Sequence, residues 1–212
     1  MAFNRLGIIP AAGKARRFGG VLKELLPLPN GVSFIAEAVL RLRNYCDDIV
    51  VVTSEEKIRD HAKELGGNVF YAIQEDDRDI YGAMVTGMQF EADHYLFTMP
   101  DTYMPRNSFS GYKDEPFAMG MHKTMIPERF GCFYKGSVIN KDKDIPTPAI
   151  AWGVLAWSRI VRDYWLVSDL QNYTDAINEA GYEFSFNTFE LGFYHDNASI
   201  EDYMQLLRKD LK

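Results

Sequence analysis

Leu6-Gly7-Ile8-Ile9-Pro10-Ala11-Ala12-Gly13-Lys14-Ala15-Arg16-Arg17-Phe18-Gly19-Gly20 is the stretch that decides the fold. A short apolar run, Leu6 to Pro10, leads directly into a turn of small and cationic residues, with Lys23 just beyond. Small side chains let backbone N–H groups approach a ligand closely, and three cations converge on the same turn. In open α/β sheets, a turn at the carboxyl end of a parallel strand is where ligands bind. A triphosphate is its natural occupant; the plainer alternative is a glycine-rich turn with solvated charges.

Working outward, Ser33 to Asn44 spaces Phe34, Ile35, Ala38, Val39 and Leu42 along one helical face, with Ser33 as N-cap. Asp48 to Thr53 is a continuous β-branched run, the pattern of a strand buried on both sides. The spacing predicts a helix capped by Ser54 and ended by Gly66-Gly67, a strand over 69–73, a helix over 81–90 and a strand over 94–99. Strands and helices alternating at these lengths give right-handed crossovers and a parallel sheet with helices on both faces. The second half predicts strands over 117–122, 132–134, 138–140 and 149–157, helices over 158–166 and 173–180, and a strand pair within 183–194. Ser199-Ile200-Glu201-Asp202 has the form of a capping box opening a last helix. The irregular stretch 100–116 is a candidate active-site loop.

At 212 residues, 47% of them hydrophobic, the chain can bury one large core, and a single domain over 1–212 is expected. A net charge of -7 argues against a nucleic-acid surface. Cys46 and Cys132 read as two free thiols, and no Cys/His pattern fits zinc. No apolar run approaches the ~20 residues of a membrane span, so no membrane partner is expected. The first residues, Met1 to Arg5, lack the apolar stretch of a signal peptide, which predicts a cytoplasmic protein. The aromatic-rich second half reads as core, with an acceptor pocket or a homo-oligomer surface left open.

Two competing motifs are excluded by their wording. No window supplies Gly-x-x-x-x-Gly-Lys followed by Ser or Thr. The dinucleotide fingerprint needs Gly where Ala15 stands and an acidic residue ending the second strand, which ends instead at Thr53-Ser54. Asp101 follows the apolar strand Leu96-Phe97-Thr98-Met99 and lies at the same sheet edge as the glycine-rich turn. Mg²⁺ prefers one or two carboxylates plus phosphate oxygens and water, so Asp101 suits it, with a turn or N-cap Asp as the plainer alternative. Asp196, in Tyr194-His195-Asp196-Asn197, again follows a short strand and precedes a helix; if it returns beside Asp101, the pair makes a divalent site. His195 reads as structural.

Together these segments resemble the nucleotidyltransferase superfamily that includes glucose-1-phosphate thymidylyltransferases. The resemblance rests on Ile8-Ile9-Pro10-Ala11-Ala12-Gly13, then Arg17, then Lys23-Glu24-Leu25-Leu26-Pro27. It continues through Tyr71-Ala72-Ile73-Gln74 with Gly82-Ala83, Arg129-Phe130-Gly131, Lys141 or Lys143, Trp152-Gly153-Val154 and Tyr194 to Tyr203. It departs from the family pattern at Ala15, Leu22 and Ala198. What it implies is a Rossmann-like open mixed sheet, mainly parallel, of the nucleotide-diphospho-sugar transferase (GT-A) type. Residues 1–101 would form a nucleotide-binding half and 102–212 an acceptor-binding half. The implied reaction transfers NMP from an NTP to a sugar-1-phosphate or similar phosphomonoester, with Mg²⁺, releasing pyrophosphate. By the same resemblance, Arg17 and Lys23 are catalytic, and Ala11, Ala12, Gly13, Lys14, Gln74, Gly82 and Asp101 hold the nucleotide. Gly131, Lys141 and Gly153 border the acceptor, and Asp101 and Asp196 hold the metal. Two alternatives stay open. A nucleotide-sugar-dependent glycosyltransferase usually carries Asp-x-Asp, where Asp101-Thr102-Tyr103 offers one carboxylate. A non-catalytic nucleotide- or sugar-phosphate-binding regulatory protein would suit the three departures.

Overall fold

The computed structural model describes residues 3–14, 18–75 and 78–208. Strand β1 (Phe3–Pro10) points Leu6 and Ile8 into one apolar cluster and Ile9 into the opposite one. The same alternation carries through β2 (Asp48–Thr53), where Val50 and Val52 face one way and Ile49 and Val51 the other. Both faces of these strands are therefore covered, as their unbroken apolar runs require.

Helix α1 (Phe34–Leu42) begins as expected, with Ser33 Oγ accepting the Ala36 N–H at 3.2 Å. Helix α2 (Ile58–Leu65) corrects one expectation. Ser54 does not cap it; its carbonyl accepts the N–H groups of Lys57 and Ile58 in a turn, and the helix starts four residues later. Strand β3 (Phe70–Ile73), helix α3 (Asp79–Gly87) and strand β4 (Ala92–Thr98) complete the first half. The second half adds β5 (Thr102–Tyr103), β6 (Phe117–Thr124), β7 (Gly131–Tyr134), β8 (Ser137–Asn140), β9 (Ala149–Ser158), α4 (Arg159–Val167) and α5 (Tyr173–Phe184). Strands β10 (Asn187–Glu190) and β11 (His195–Asp196) and helix α6 (Ile200–Leu207) close it. The strand pair expected within 183–194 is not formed. Helix α5 runs on to Phe184, β10 joins β6, and β11 pairs separately with β5. The capping box holds, with Ser199 Oγ accepting the Asp202 N–H at 3.2 Å.

The main sheet runs β3-β2-β1-β4-β9-β6-β10, with β7 and β8 attached beside β9. Along this path every strand is parallel to β1 except β9, which opposes both β4 and β6. Helices α3, α4 and α5 cover one face, where Trp157 stacks on Tyr95 at 5.6 Å and packs against Trp165 at 5.2 Å. Helices α1 and α2 cover the other. The chain steps outward from β1 to β3 under α1 and α2, then returns across the opposite face through α3 to β4. The strand order reverses between β1 and β4, the position where open α/β sheets bind ligands. Cys46 and Cys132 are both free, as expected. Among the described residues no helix is long and apolar enough to cross a membrane.

That return is set by a close approach. A Cβ on Gly87 would lie 2.8 Å from two carbons of Ile8, so α3 rests its backbone directly on β1. Gly87→Ala should therefore destabilise the protein by about 1–3 kcal/mol through overpacking, despite the better helix propensity of alanine. The urea midpoint reads this; an unchanged or raised midpoint would contradict the contact.

Candidate active site

At the switch point a cleft of about 740 Å³ opens. Its lining includes Ala11, Ala12, Gly13, Lys14, Lys23, Gln74 and Asp101, residues the sequence had assigned to the nucleotide or to catalysis. The Ala11 N–H bonds the Val52 carbonyl at 2.6 Å, extending the β1–β2 ladder one residue past β1. Beyond it the chain leaves the sheet, Gly13 and Lys14 are exposed, and a side chain at Gly13 would meet nothing within 4 Å. The backbone here is thus open to a ligand on the cleft side. Arg17, with Ala15 and Arg16, lies outside the described residues.

Lys23 begins a 3-10 turn, Lys23–Leu25, and its ammonium forms an ion pair with the Asp101 carboxylate. Asp101 follows β4 by three residues and is buried. Burial pushes its carboxyl above the usual range; the Lys23 charge opposes this and the nearby Asp196 adds to it. Asp196 arrives through the small β5–β11 ladder, where it pairs in register with Thr102. The Asn197 N–H also donates to the Asp101 carbonyl at 3.2 Å. The two carboxylates assigned to the metal, from residues almost a hundred positions apart, are therefore neighbours at one edge.

Each carboxylate has a cationic partner. Arg129 donates to Asp196 at 2.8 Å and forks onto Asp202 at 3.0 and 2.8 Å. Beneath the same edge, the fully buried Arg41 donates to Thr98 Oγ1 at 3.1 Å and to the Thr102 carbonyl at 3.4 Å. It braces both ends of the turn that carries Asp101. Burial lowers its pKa to about 10, so it stays charged at neutral pH. Among the described residues no group of three or more His, Cys, Asp and Glu side chains forms a metal cage. A pair of carboxylates is the donor set Mg²⁺ takes when phosphate oxygens and water complete its shell, so Asp101 and Asp196 fit that ion.

Sequence reading missed Glu24, Lys57 and His61. Glu24, in the Lys23 turn, is 3% exposed and accepts from Lys57 Nζ at 2.7 Å, with His61 Nε2 at 3.2 Å. Lys57 Nζ donates also to the Ala11 carbonyl at 3.1 Å and lines the cleft. No local pattern flags these partners, because they lie 33 and 37 residues from Glu24.

The structure separates the remaining assigned residues. Gln74 follows β3 into the cleft and its amide donates to the Asp79 carbonyl at 3.0 Å. Gly82 is buried in α3, next to the lining residue Ala83. Gly131, Lys141 and Gly153 do not line the cleft. A Cβ on Gly131 would lie 2.3 Å from Trp152 Nε1, and one on Gly153 would lie 2.4 Å from the Tyr194 ring. Both glycines thus make room for aromatic packing; Tyr194 in turn stacks on His122 at 3.9 Å. Lys141 is exposed, follows β8 with φ 52°, and its N–H bonds the Phe130 carbonyl at 2.8 Å. His195 Nε2 lies 3.0 Å from the Asp202 carbonyl, in keeping with a structural role.

Residues 7–110 match the family profile of the MobA-like NTP transferase domain. No curated protein matches the chain by sequence. A candidate glucose-1-phosphate thymidylyltransferase from Bacillus anthracis superposes with a TM-score of 0.83 at 21% identity, over 98% of this chain and 96% of that one. An inositol-1-phosphate CTP transferase from T. maritima gives 0.72 at 15% identity, over 98% and 96%. A UDP-glucose pyrophosphorylase from Acinetobacter baumannii gives 0.76 at 13%, over 98% and 92%. At these identities the structural likeness establishes the fold.

The site's ion pairs predict an acid limb. Burial alone would raise the Glu24 and Asp202 carboxyls, but His61 and Lys57 around the first, and Arg129 and Ser199 around the second, hold both below their usual values. Their contribution to stability is complete above the unfolded carboxylate range, about pH 4–4.5, and is lost as pH falls toward the lowered folded values. Urea midpoints measured from pH 6 to 3 should fall less steeply in Asp202→Asn than in the wild type. Parallel acid limbs would contradict the Arg129 clamp.

Proposed function

Starting from a chain whose residues 7–110 match the profile of the MobA-like NTP transferase domain, we propose that it transfers an NMP unit from an NTP to a sugar-1-phosphate or similar phosphomonoester, releasing pyrophosphate. The observation that carries this reading is the meeting of Lys23 and Asp101 inside the cleft, beside the open backbone of Ala12 to Lys14. A cationic side chain, open backbone donors and a pair of carboxylates are what an NTP and its Mg²⁺ require at one place.

In this reading the triphosphate lies along Ala11, Ala12, Gly13 and Lys14, and the Arg17 charge is assigned to it. The base reaches toward Gln74 and Gly82. An acceptor phosphate oxygen attacks the α-phosphorus, the bond from that phosphorus to the bridging β-oxygen breaks, and pyrophosphate leaves with the electron pair. A phosphomonoester is already ionised at neutral pH, so no general base is needed. Lys23 stabilises the negative charge that builds on the transferring phosphoryl group. Asp101 and Asp196 would hold Mg²⁺, which when bound neutralises charge on the phosphate oxygens. The acceptor enters the same cleft from the side of the second half of the chain. Names of the superposed proteins, all of which pair a nucleotide with a sugar or cyclitol phosphate, support that acceptor class.

Pyrophosphate release with Mg²⁺, each NTP and a panel of phosphomonoesters is the test. Lys23→Met, Asp101→Asn and Arg17→Ala should each lower turnover by at least about a hundredfold, the scale of losing one preorganised charge or donor, with the circular dichroism spectrum unchanged. Near-normal turnover in Lys23→Met and Asp101→Asn would sink the assignment.

A further inference from the structure

Under the cleft, one chain of buried polar contacts joins three segments that the proposed reaction must keep in register. Glu24 sits next to Lys23 in the 3-10 turn. Its carboxylate is gripped by Lys57 Nζ at 2.7 Å and His61 Nε2 at 3.2 Å, both from the start of α2 and the turn before it. The Lys57 ammonium reaches on to the Ala11 carbonyl at 3.1 Å, the point where the backbone leaves β1. His61 is fully buried, and its Nδ1 lies 2.8 Å from the Thr53 hydroxyl at the end of β2. The His61 ring thus bridges Glu24 and Thr53, with a hydrogen-bond partner at each nitrogen. Glu24 and Lys57 then cancel in charge.

A buried ion pair of this kind adds little stability relative to apolar packing of the same shape. What it does supply is geometry. The hydrogen bonds have fixed directions, and they connect the turn that presents Lys23 to the backbone that presents Ala11 and Gly13. Displacing either by about 1 Å is enough to cost a large factor in a reaction that runs on alignment.

We infer that Glu24, Lys57 and His61 form a positioning network that sets Lys23 against the Ala11–Gly13 backbone. Glu24 lies at the floor of the cleft with its carboxylate already engaged, His61 lies behind it, and both act through these neighbours. The inference rests on the transfer reading above, and it assigns work to residues that reading leaves unused.

A double-mutant cycle in pyrophosphate release tests it. Because E24Q keeps the shape of the side chain and loosens only its grip, it should lower kcat about ten- to a hundredfold while the KM for NTP stays within about threefold. In a K23M background the same substitution should change kcat by less than about twofold, since its route of action has been removed. An equal loss in both backgrounds, or no loss with Lys23 intact, overturns the inference. Should E24Q not fold, Thr53→Val, which removes only the hydroxyl facing His61, carries the same cycle. A wild-type protein that binds nucleotide without releasing pyrophosphate defeats the transfer reading and not the network. The network is then judged by amide exchange at Ala12 and Gly13, which should quicken about tenfold or more in E24Q as the loop is released. Unchanged exchange overturns it.

Discussion

Because β1 lies between β2 and β4 and all three run the same way, whatever follows their last residues is delivered to one edge of the sheet. Ala11 to Lys14 leave β1 there, Thr53 ends β2 there, Gln74 leaves β3 and Asp101 follows β4. The helices are consequences of the same constraint. Outward steps put α1 and α2 on one face, and the return puts α3 on the other, and the cleft opens beyond the carboxyl ends of β1 and β4. Gly87 against Ile8 is where that return closes most tightly.

Electrostatics then determine what the cleft can hold. The chain carries a net charge of -7, yet the cleft lining brings together Lys14, Lys23 and Lys57. Three acidic groups at or beside it are answered by cations: Asp101 by Lys23, Glu24 by Lys57, and Asp196 by Arg129. Leaving any of these carboxylates buried and unpaired would be expensive, which explains why the pairs are close and why most sit at element ends. Arg41 adds a fixed charge under Thr98 and Thr102, so the turn carrying Asp101 is held from below as well as from the front.

The first half of the fold could be read directly from the sequence. Unbroken β-branched runs such as Ile49 to Val52 have only one stable use, a strand covered on both faces, and the 3.6-residue spacing from Phe34 to Leu42 has only one face to bury. The second half resisted because its short elements take their identity from partners far away. Strand β10 exists because β6 has a free edge, and the two-residue β11 exists because Thr102 and Tyr103 offer it a ladder. Ser54 has the sequence signature of a cap, yet its backbone carbonyl, rather than its side chain, organises the turn into α2. Among site residues, Lys23, Asp101 and Gln74 were legible because each directly follows a readable strand or glycine-rich turn. Glu24, Lys57 and His61 look like ordinary charged helix residues until the fold stacks them. Gly131 and Gly153 show the reverse, since their small size answers to Trp152 and Tyr194 rather than to the cleft.

The most direct measurement of the central claim follows phosphorus itself. Wild-type protein, Mg²⁺, an NTP and a sugar-1-phosphate are observed together by 31P nuclear magnetic resonance. The account predicts that the triphosphate signals decay into pyrophosphate and a diphosphate diester in equal amounts, with the acceptor consumed one for one. Triphosphate signals that shift on binding and then persist, or that decay to free NMP with the acceptor untouched, would contradict it.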